Sequence, residues 1–145
     1  MKYFYSKTKP NILLHAVVNL ENVISENFTE HGNIKRVEIA PPEQFLQTSL
    51  LKFNKGPVTK AHKHLWKTPP EKTITQESMV VIKGRIKFIM YDLDDEILDE
   101  VNVESGGLTL TFQGGHTYEA LEDDTIVYEY KTGPYYGQET DKKWI

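Results

Sequence analysis

The chain has 145 residues, 39% of them apolar, a net charge of -4 and no cysteine. That length predicts one domain that buries a core without staples, and the missing cysteines exclude disulfides, thiolate metal sites and cysteine nucleophiles. Mild acidity leaves no nucleic-acid footprint. No apolar run reaches the ~20 residues that span a bilayer, and MKYFYSKTKPN lacks the apolar stretch of a signal peptide, so a cytoplasmic protein with no membrane or nucleic-acid partner is expected.

Residues 1–45 are the least regular. ILLHAVVNL (12–20) reads as a short buried strand, and NLENVISEN (19–27) as one or two helical turns with Asn19 as N-cap. After a turn at His31–Gly32–Asn33, IKRVEI reads as a strand that ends at Pro41–Pro42. His15 and His31 read as structural or solvated. FLQTSLLKF alternates, which places Gln47, Ser49, Leu51 and Phe53 on one inner face. NKGP turns the chain into VTKAHKH, where a period of two puts His62 and His64 on one face and Lys63 on the other. LWKTPPEKT is a loop, because Pro69–Pro70 forbids helix and central strand alike.

TQESMVVIK and IKFIMYD are strands broken at Gly84–Arg85, with Ile86, Phe88 and Met90 on one face. Asp94–Asp95 suits a hairpin tip, ILDEVNV returns, and ESGG turns again. LTLTF alternates cleanly, with Leu108, Leu110 and Phe112 expected inward and Thr109 and Thr111 outward. QGG is a tight turn before HTYEAL, and TIVYEYK is the last strong strand, with Tyr128 and Tyr130 as inward candidates. Turn signals every 8–12 residues from Phe45 to Lys131, with no long amphipathic helix, predict an antiparallel sandwich or barrel.

Chemistry concentrates between Gly56 and Gly84. His62 and His64 share a strand face, Glu77 lies in a second strand-like run, and His116 follows the Gly114–Gly115 turn. Three imidazoles and a carboxylate suit one divalent transition metal with room left for water or substrate. By parity only one of Gln76 and Glu77 faces inward.

The spacing Gly56, five residues, His62-x-His64, twelve residues, Glu77, six residues, Gly84 resembles the first motif of the cupin superfamily, G-x5-H-x-H, a spacer, then E-x6-G. The spacer is longer than the family's, and the surplus falls in LWKTPPEKT, where loop length costs little. The second motif, G-x5-P-x-G-x2-H-x3-N, matches in part: Gly106 or Gly107 serves as the opening glycine and His116 as the histidine, with the interval one or two residues short, the proline absent, and Ala120 where asparagine would stand. The resemblance covers Phe45 to Lys131. It implies an all-β cupin jelly-roll barrel over residues 45–145, with a tail at 132–145. Residues 1–44 would form an N-terminal extension of short strands and one short helix, packed on the barrel or on a partner subunit. The E-x6-G spacing selects Glu77 over Gln76.

Carried over by residue, the resemblance implies that His62, His64, Glu77 and His116 hold one divalent transition metal (Zn, Fe, Mn or Ni). Leu51, Phe53, Met79, Val81, Phe88 and Leu110 would form the pocket wall. Tyr118 and Gln47 are the catalytic candidates for proton handling or orientation. Ser49, Trp66, Gln76, Met79, Phe88 and Tyr128 are further pocket candidates, Trp66 as a lid in the spacer loop. The C-terminal KTGPYYGQETDKKW resembles the ending of small cupins of surface-polysaccharide biosynthesis, which implies a tail folded over the barrel or a partner. The implied activity is isomerase- or epimerase-type chemistry on a small polar metabolite such as a carbohydrate or nucleotide sugar, in a homodimer. The alternatives are a non-catalytic sugar- or metabolite-binding cupin, a metal-free ketoisomerase-like acid–base enzyme, or an iron-dependent dioxygenase.

Overall fold

The computed structural model describes residues 1–24, 28–67 and 72–145. The expected Pro69–Pro70 break and the end of the 19–27 helical segment lie outside the described residues. The N-terminal strands are β1 (Lys2–Tyr5), β2 (Leu13–Val17), β3 (Thr29–His31) and β4 (Ile34–Glu38), with the short helix α1 (Leu20–Ile24) after β2. The middle strands are β5 (Leu46–Phe53), β6 (Gly56–Pro57), β7 (His62–His64), β8 (Glu77–Lys83) and β9 (Arg85–Tyr91). The last are β10 (Ile97–Glu104), β11 (Leu108–Thr111), β12 (Gly115–Ala120), β13 (Thr125–Thr132) and β14 (Lys142–Trp144), with the single turn α2 (Gln138–Asp141) before β14.

Two six-stranded antiparallel sheets make the body. One runs β11-β8-β13-β5-β4-β3, and the other runs β10-β9-β12-β7-β14 with β6 on β12. The expected all-β jelly roll is the observed architecture. Strands β3 and β4 belong to the first sheet, so that sheet begins at Thr29 rather than at residue 45. The tail is likewise part of the second sheet: β14 pairs with β7 in the register Lys142↔His64 and Trp144↔His62.

Alternation along β5, β8, β9 and β12 drives Leu51, Phe53, Met79, Val81, Ile86, Phe88 and Tyr118 into one core between the sheets. A second cluster, Val23, Val37, Ile39, Leu50 and Ile126, lies outside the first sheet, with Met1, Val18, Leu20, Phe28 and Tyr128 packed against it. The first sheet is therefore apolar on both faces, and this overturns two expectations of direction.

On β11, Thr109 and Thr111 are buried, whereas Leu108 and Leu110, and Phe112 just beyond the strand, are exposed. Cross-strand partners share a face, and Thr109 pairs with Met79 and Thr111 with Glu77, both of which point inward. The Thr109 hydroxyl also accepts from the Met79 backbone N–H at 3.3 Å and meets the Tyr118 hydroxyl at 3.2 Å. Leu110 is thus no part of the pocket wall. On β13 it is Val127 and Glu129 that face inward, while Tyr128 and Tyr130 lie on the outer face. A third correction concerns the burial expected of β2: among the described residues this strand pairs only with β1, and most of its residues are exposed.

The Gly114–Gly115 turn is where backbone freedom decides the path. Gly114 has φ +82°, and a Cβ there would stand 2.6 Å from the Tyr91 carbonyl oxygen. Only glycine fits that approach, and it delivers β12 into register with His116 opposite His62. Among the described residues, no helix is long and apolar enough to cross a membrane.

Candidate metal centre

Four buried side chains converge inside the barrel. His62 and His64 come from β7, His116 from its neighbour β12, and Glu77 from β8 in the opposite sheet. One ligand atom from each lies within 4.8 Å of the others. The three imidazole centroids form a triangle with sides of 4.6, 5.4 and 5.4 Å. Glu77 bridges two of the rings: Oε2 lies 3.3 Å from His64 Nε2 and Oε1 lies 3.2 Å from His116 Nε2. Glu77 is buried and Gln76 is exposed, the alternative that the resemblance implied.

Outer contacts fix the rings. His62 Nδ1 sits 2.9 Å from the Lys60 carbonyl, and His64 Nδ1 sits 3.3 Å from the Asp141 carbonyl. Both acceptors call for an Nδ1–H, which turns Nε2 toward the centre. The Asp141 carboxylate, itself buried, places Oδ2 3.4 Å from His64 Nδ1 and accepts from the Thr75 hydroxyl through Oδ1 at 2.8 Å. His116 Nδ1 is buried with no hydrogen-bond partner.

Electrostatics divide the three histidines. Burial and the nearby Lys142 ammonium push His62 down to about 3, so it is a neutral imidazole at any ordinary pH. Burial works against charge on His64 too, but Asp141 and Glu77 outweigh it and lift His64 to about 9. Burial opposes ionisation of Glu77, yet His116 and His64 hold its carboxyl well below the ordinary range. In the metal-free chain Glu77 is therefore balanced by the proton on His64. A divalent cation suits the same lone pairs: a four-donor N3O set, each donor buried, with orienting acceptors behind two of the rings.

Two cavities adjoin the cage. An inner chamber of about 150 Å³ is lined by Leu51, Val58, Met79, Tyr118, His62 and Lys142, among others. An outer cavity of about 640 Å³ is lined by Arg36, Gln47, Glu129, Lys131, Tyr135 and Lys142, among others. Arg36 crosses from β4 to grip Glu129 with two bonds, Nη2 to Oε1 at 2.7 Å and Nη1 to Oε2 at 3.1 Å. It also donates to Ser49 Oγ at 2.6 Å, and Ser49 donates to Glu38 at 2.5 Å.

The other sequence candidates are distributed as follows. Tyr118 lines the inner chamber, with burial and Glu77 raising its pKa well above the ordinary value, so the phenol keeps its proton. Met79 lines the same chamber, and Phe88 stacks on Tyr118 with centroids 5.1 Å apart. Gln47 is buried, but its amide nitrogen faces the carbonyls of Pro41, Pro42 and Gln44 at 3.0, 3.3 and 2.5 Å. Its donors tie down the 41–44 turn, while the side chain also lines the outer cavity. Tyr128 lines a groove of about 540 Å³ on the outer face with Leu13, Ala16 and Ile39, remote from the cage. Trp66 is 62% exposed, bridges to Ile74, and lines neither cavity beside the cage.

Sequence reasoning missed Arg36, Glu129, Asp141 and Lys142. Glu129 was legible from parity, since it sits two residues from the inward Val127. Asp141 and Lys142 had no local signal, because a tertiary pairing at the C-terminus brings them in.

No protein-family model matches the chain, and no curated protein matches it. Solved structures do. KdgF from Halomonas sp. superposes with a TM-score of 0.55 at 15% identity, over 75% of this chain and 89% of that one. A single-substitution variant of oxalate decarboxylase from Bacillus subtilis gives a TM-score of 0.63 at 15% identity, over 84% of this chain and 31% of that one. CapF, solved with the inhibitor 3-isopropenyl-tropolone, gives 0.62 at 19% identity, over 81% of this chain and 33% of that one. This chain thus spans about a third of the length of the latter two. These are cupin-fold proteins, and the fold of this chain is the cupin jelly roll with a buried His62/His64/Glu77/His116 group of metal-binding type.

Proposed function

We propose that this chain is a metal-dependent cupin enzyme acting on a small polar metabolite such as a carbohydrate or nucleotide sugar, with isomerase- or epimerase-type chemistry. The observation that carries the reading is the convergence of three imidazoles and Glu77 beside two cavities whose linings share Arg36, Glu129 and Lys142. His62, His64, Glu77 and His116 would hold the cation, which supplies Lewis acidity to a bound carbonyl or hydroxyl. Tyr118, a protonated phenol on the chamber wall, is positioned to donate a proton to an oxygen that gains charge. The apolar wall of Leu51, Val58 and Met79 excludes water from that oxygen. The metal-free ketoisomerase reading needs Gln76 inward or an empty histidine cage; Glu77 is the buried residue of the pair, which favours the metal reading.

The proposal places the protein in the cytoplasm as a homodimer. The exposed Leu108 and Leu110 on edge strand β11, with Phe112 just after it, supply an apolar face for self-association.

Elemental analysis of protein purified without added metal or chelator tests the first part. A stoichiometric transition metal that is lost in His62→Ala supports it, and a stable, metal-free wild type refutes it. Turnover of a nucleotide-sugar panel tests the second part. Binding without conversion by the metal-loaded protein would leave the chain a binding module instead.

A further inference from the structure

The C-terminal strand contributes a cation to the mouth of the cage. Strand β14 pairs with β7 so that Lys142 stands opposite His64, and Lys142 Nζ reaches within 3.4 Å of His62 Nε2. Lys142 lines both the inner chamber and the outer cavity, so it stands where they meet.

The neighbouring cations are already engaged. Arg36 is held in a fork by Glu129 and also contacts Glu38. Lys131 lies 3.6 Å from Asp141 Oδ2 and over the Tyr135 ring at 4.2 Å. Lys67 donates to the carbonyls of Thr132 and Pro134 at 3.2 and 2.6 Å. Among the described residues, no carboxylate lies within ion-pair distance of Lys142. Its close contact is an imidazole nitrogen that a bound cation would claim, and the Trp144 ring is 5.9 Å away.

Charge then selects the ligand. Among the groups that line the inner chamber, a loaded cage would carry two positive charges from the metal, one negative from Glu77 and one positive from Lys142, while Arg36 and Glu129 cancel. The balance is two positive charges facing a small chamber with an apolar wall. Uncompensated charge in such surroundings is costly. A neutral sugar hydroxyl leaves that balance standing; an anionic oxygen next to the metal offsets it.

We propose that Lys142 is the anion receptor of this centre, and that the ligand bears a carboxylate held between the Lys142 ammonium and the metal. The substrate class is a small hydroxy- or oxo-carboxylate, a sugar acid included, rather than a neutral sugar. This rests on the metal-centre reading above. Lys142 acts here as a specificity residue. Its three N–H donors form charge-assisted hydrogen bonds to the carboxylate.

The test uses the full chain loaded with Co2+, whose visible absorption reports ligands that enter the cage. Glycolate and its neutral counterpart ethylene glycol are titrated into the wild type, Lys142→Met and Lys142→Arg. Glycolate is expected to bind the wild type about 10-fold or more tighter than Lys142→Met. Ethylene glycol should perturb both alike, and Lys142→Arg should regain most of the glycolate affinity. Retained glycolate affinity in Lys142→Met, an equal loss for ethylene glycol, or no glycolate binding to cobalt-loaded wild type would each overturn the proposal. A wild type that takes up no Co2+ would overturn the metal reading itself, which is a distinct result.

Discussion

Asp141 lies outside the cage, and its removal probes whether the cage is oriented from behind. Asp141→Asn keeps the side-chain volume and removes a buried charge that faces His64 at 3.4 Å, Lys131 at 3.6 Å and Lys67 at 4.0 Å. His64 stands at about 9 against an ordinary 6.5. At about 1.4 kcal/mol per pH unit, that difference represents about 3 kcal/mol of favourable interaction, shared between Asp141 and Glu77. Asp141 and its Thr75 hydrogen bond together then account for about 2 kcal/mol of stability in the metal-free protein. The proton on His64 is bound more tightly in the folded than in the unfolded chain. Its contribution is complete below the unfolded value of 6.5 and is lost as pH rises through about 9. Urea unfolding of the metal-free protein at several pH values should show wild type losing stability across that window, with the variant less stable at its lower edge and flatter across it. Zinc affinity, measured by competition with a chelating dye, should fall about 10- to 100-fold, as for other partners that orient a ligating histidine. If the variant matches wild type in the pH slope and in zinc affinity, Asp141 does not orient His64 and the reasoning fails.

Three further outcomes follow from the geometry. Gly114→Ala, which drives a Cβ to 2.6 Å from the Tyr91 carbonyl, should cost about 2–3 kcal/mol in urea unfolding. Gly106→Ala, with a similar φ of +86° and open space, should cost only about 1 kcal/mol. Arg36→Met strands Glu129 in the barrel and should cost about 3 kcal/mol, most of it regained in an Arg36→Met/Glu129→Met double variant; additive losses would contradict the pairing. Phe112→Glu should convert the proposed dimer to a monomer in light scattering without lowering the melting temperature, and an unchanged mass would remove that face from consideration.

The four cage residues were legible because spacing and parity act together on them. A period of two places His62 with His64, parity leaves Gln76 and Glu77 as alternatives, and the resemblance to the cupin motif E-x6-G selects Glu77. The same parity misled at LTLTF. Alternation tells which residues share a face, not which face meets the core, and the first sheet is apolar on both sides. Its outer face is covered at β4, β5 and β13 by the N-terminal segment and left bare at β11. ILLHAVVNL fails for a related reason: an apolar run implies burial only where a second layer packs closely on it, and β2, paired with β1, faces an open groove against the first sheet and stays mostly exposed. For Trp66 and Tyr128 the signals are proximity in sequence and side-chain type, and neither fixes direction.

The C-terminal strand was illegible for a different reason, and it matters most for chemistry. KKW is three residues with no periodicity to read, and its partner is chosen by an open sheet edge at β7. An unpaired edge beside the histidine pair would leave the β7 backbone exposed to water or to another chain. Pairing β14 there closes the edge, and the same act brings in Asp141 and Lys142. Asp141 accepts from the Leu65 backbone N–H at 3.0 Å through its carbonyl, while that carbonyl and its carboxylate both face His64. One residue further on, Lys142 stands beside His62. Backbone pairing and site assembly are thus a single event. Asp141 and Lys142, which tune the cage, carry no signal of their own in sequence because they ride with the strand that seals its edge.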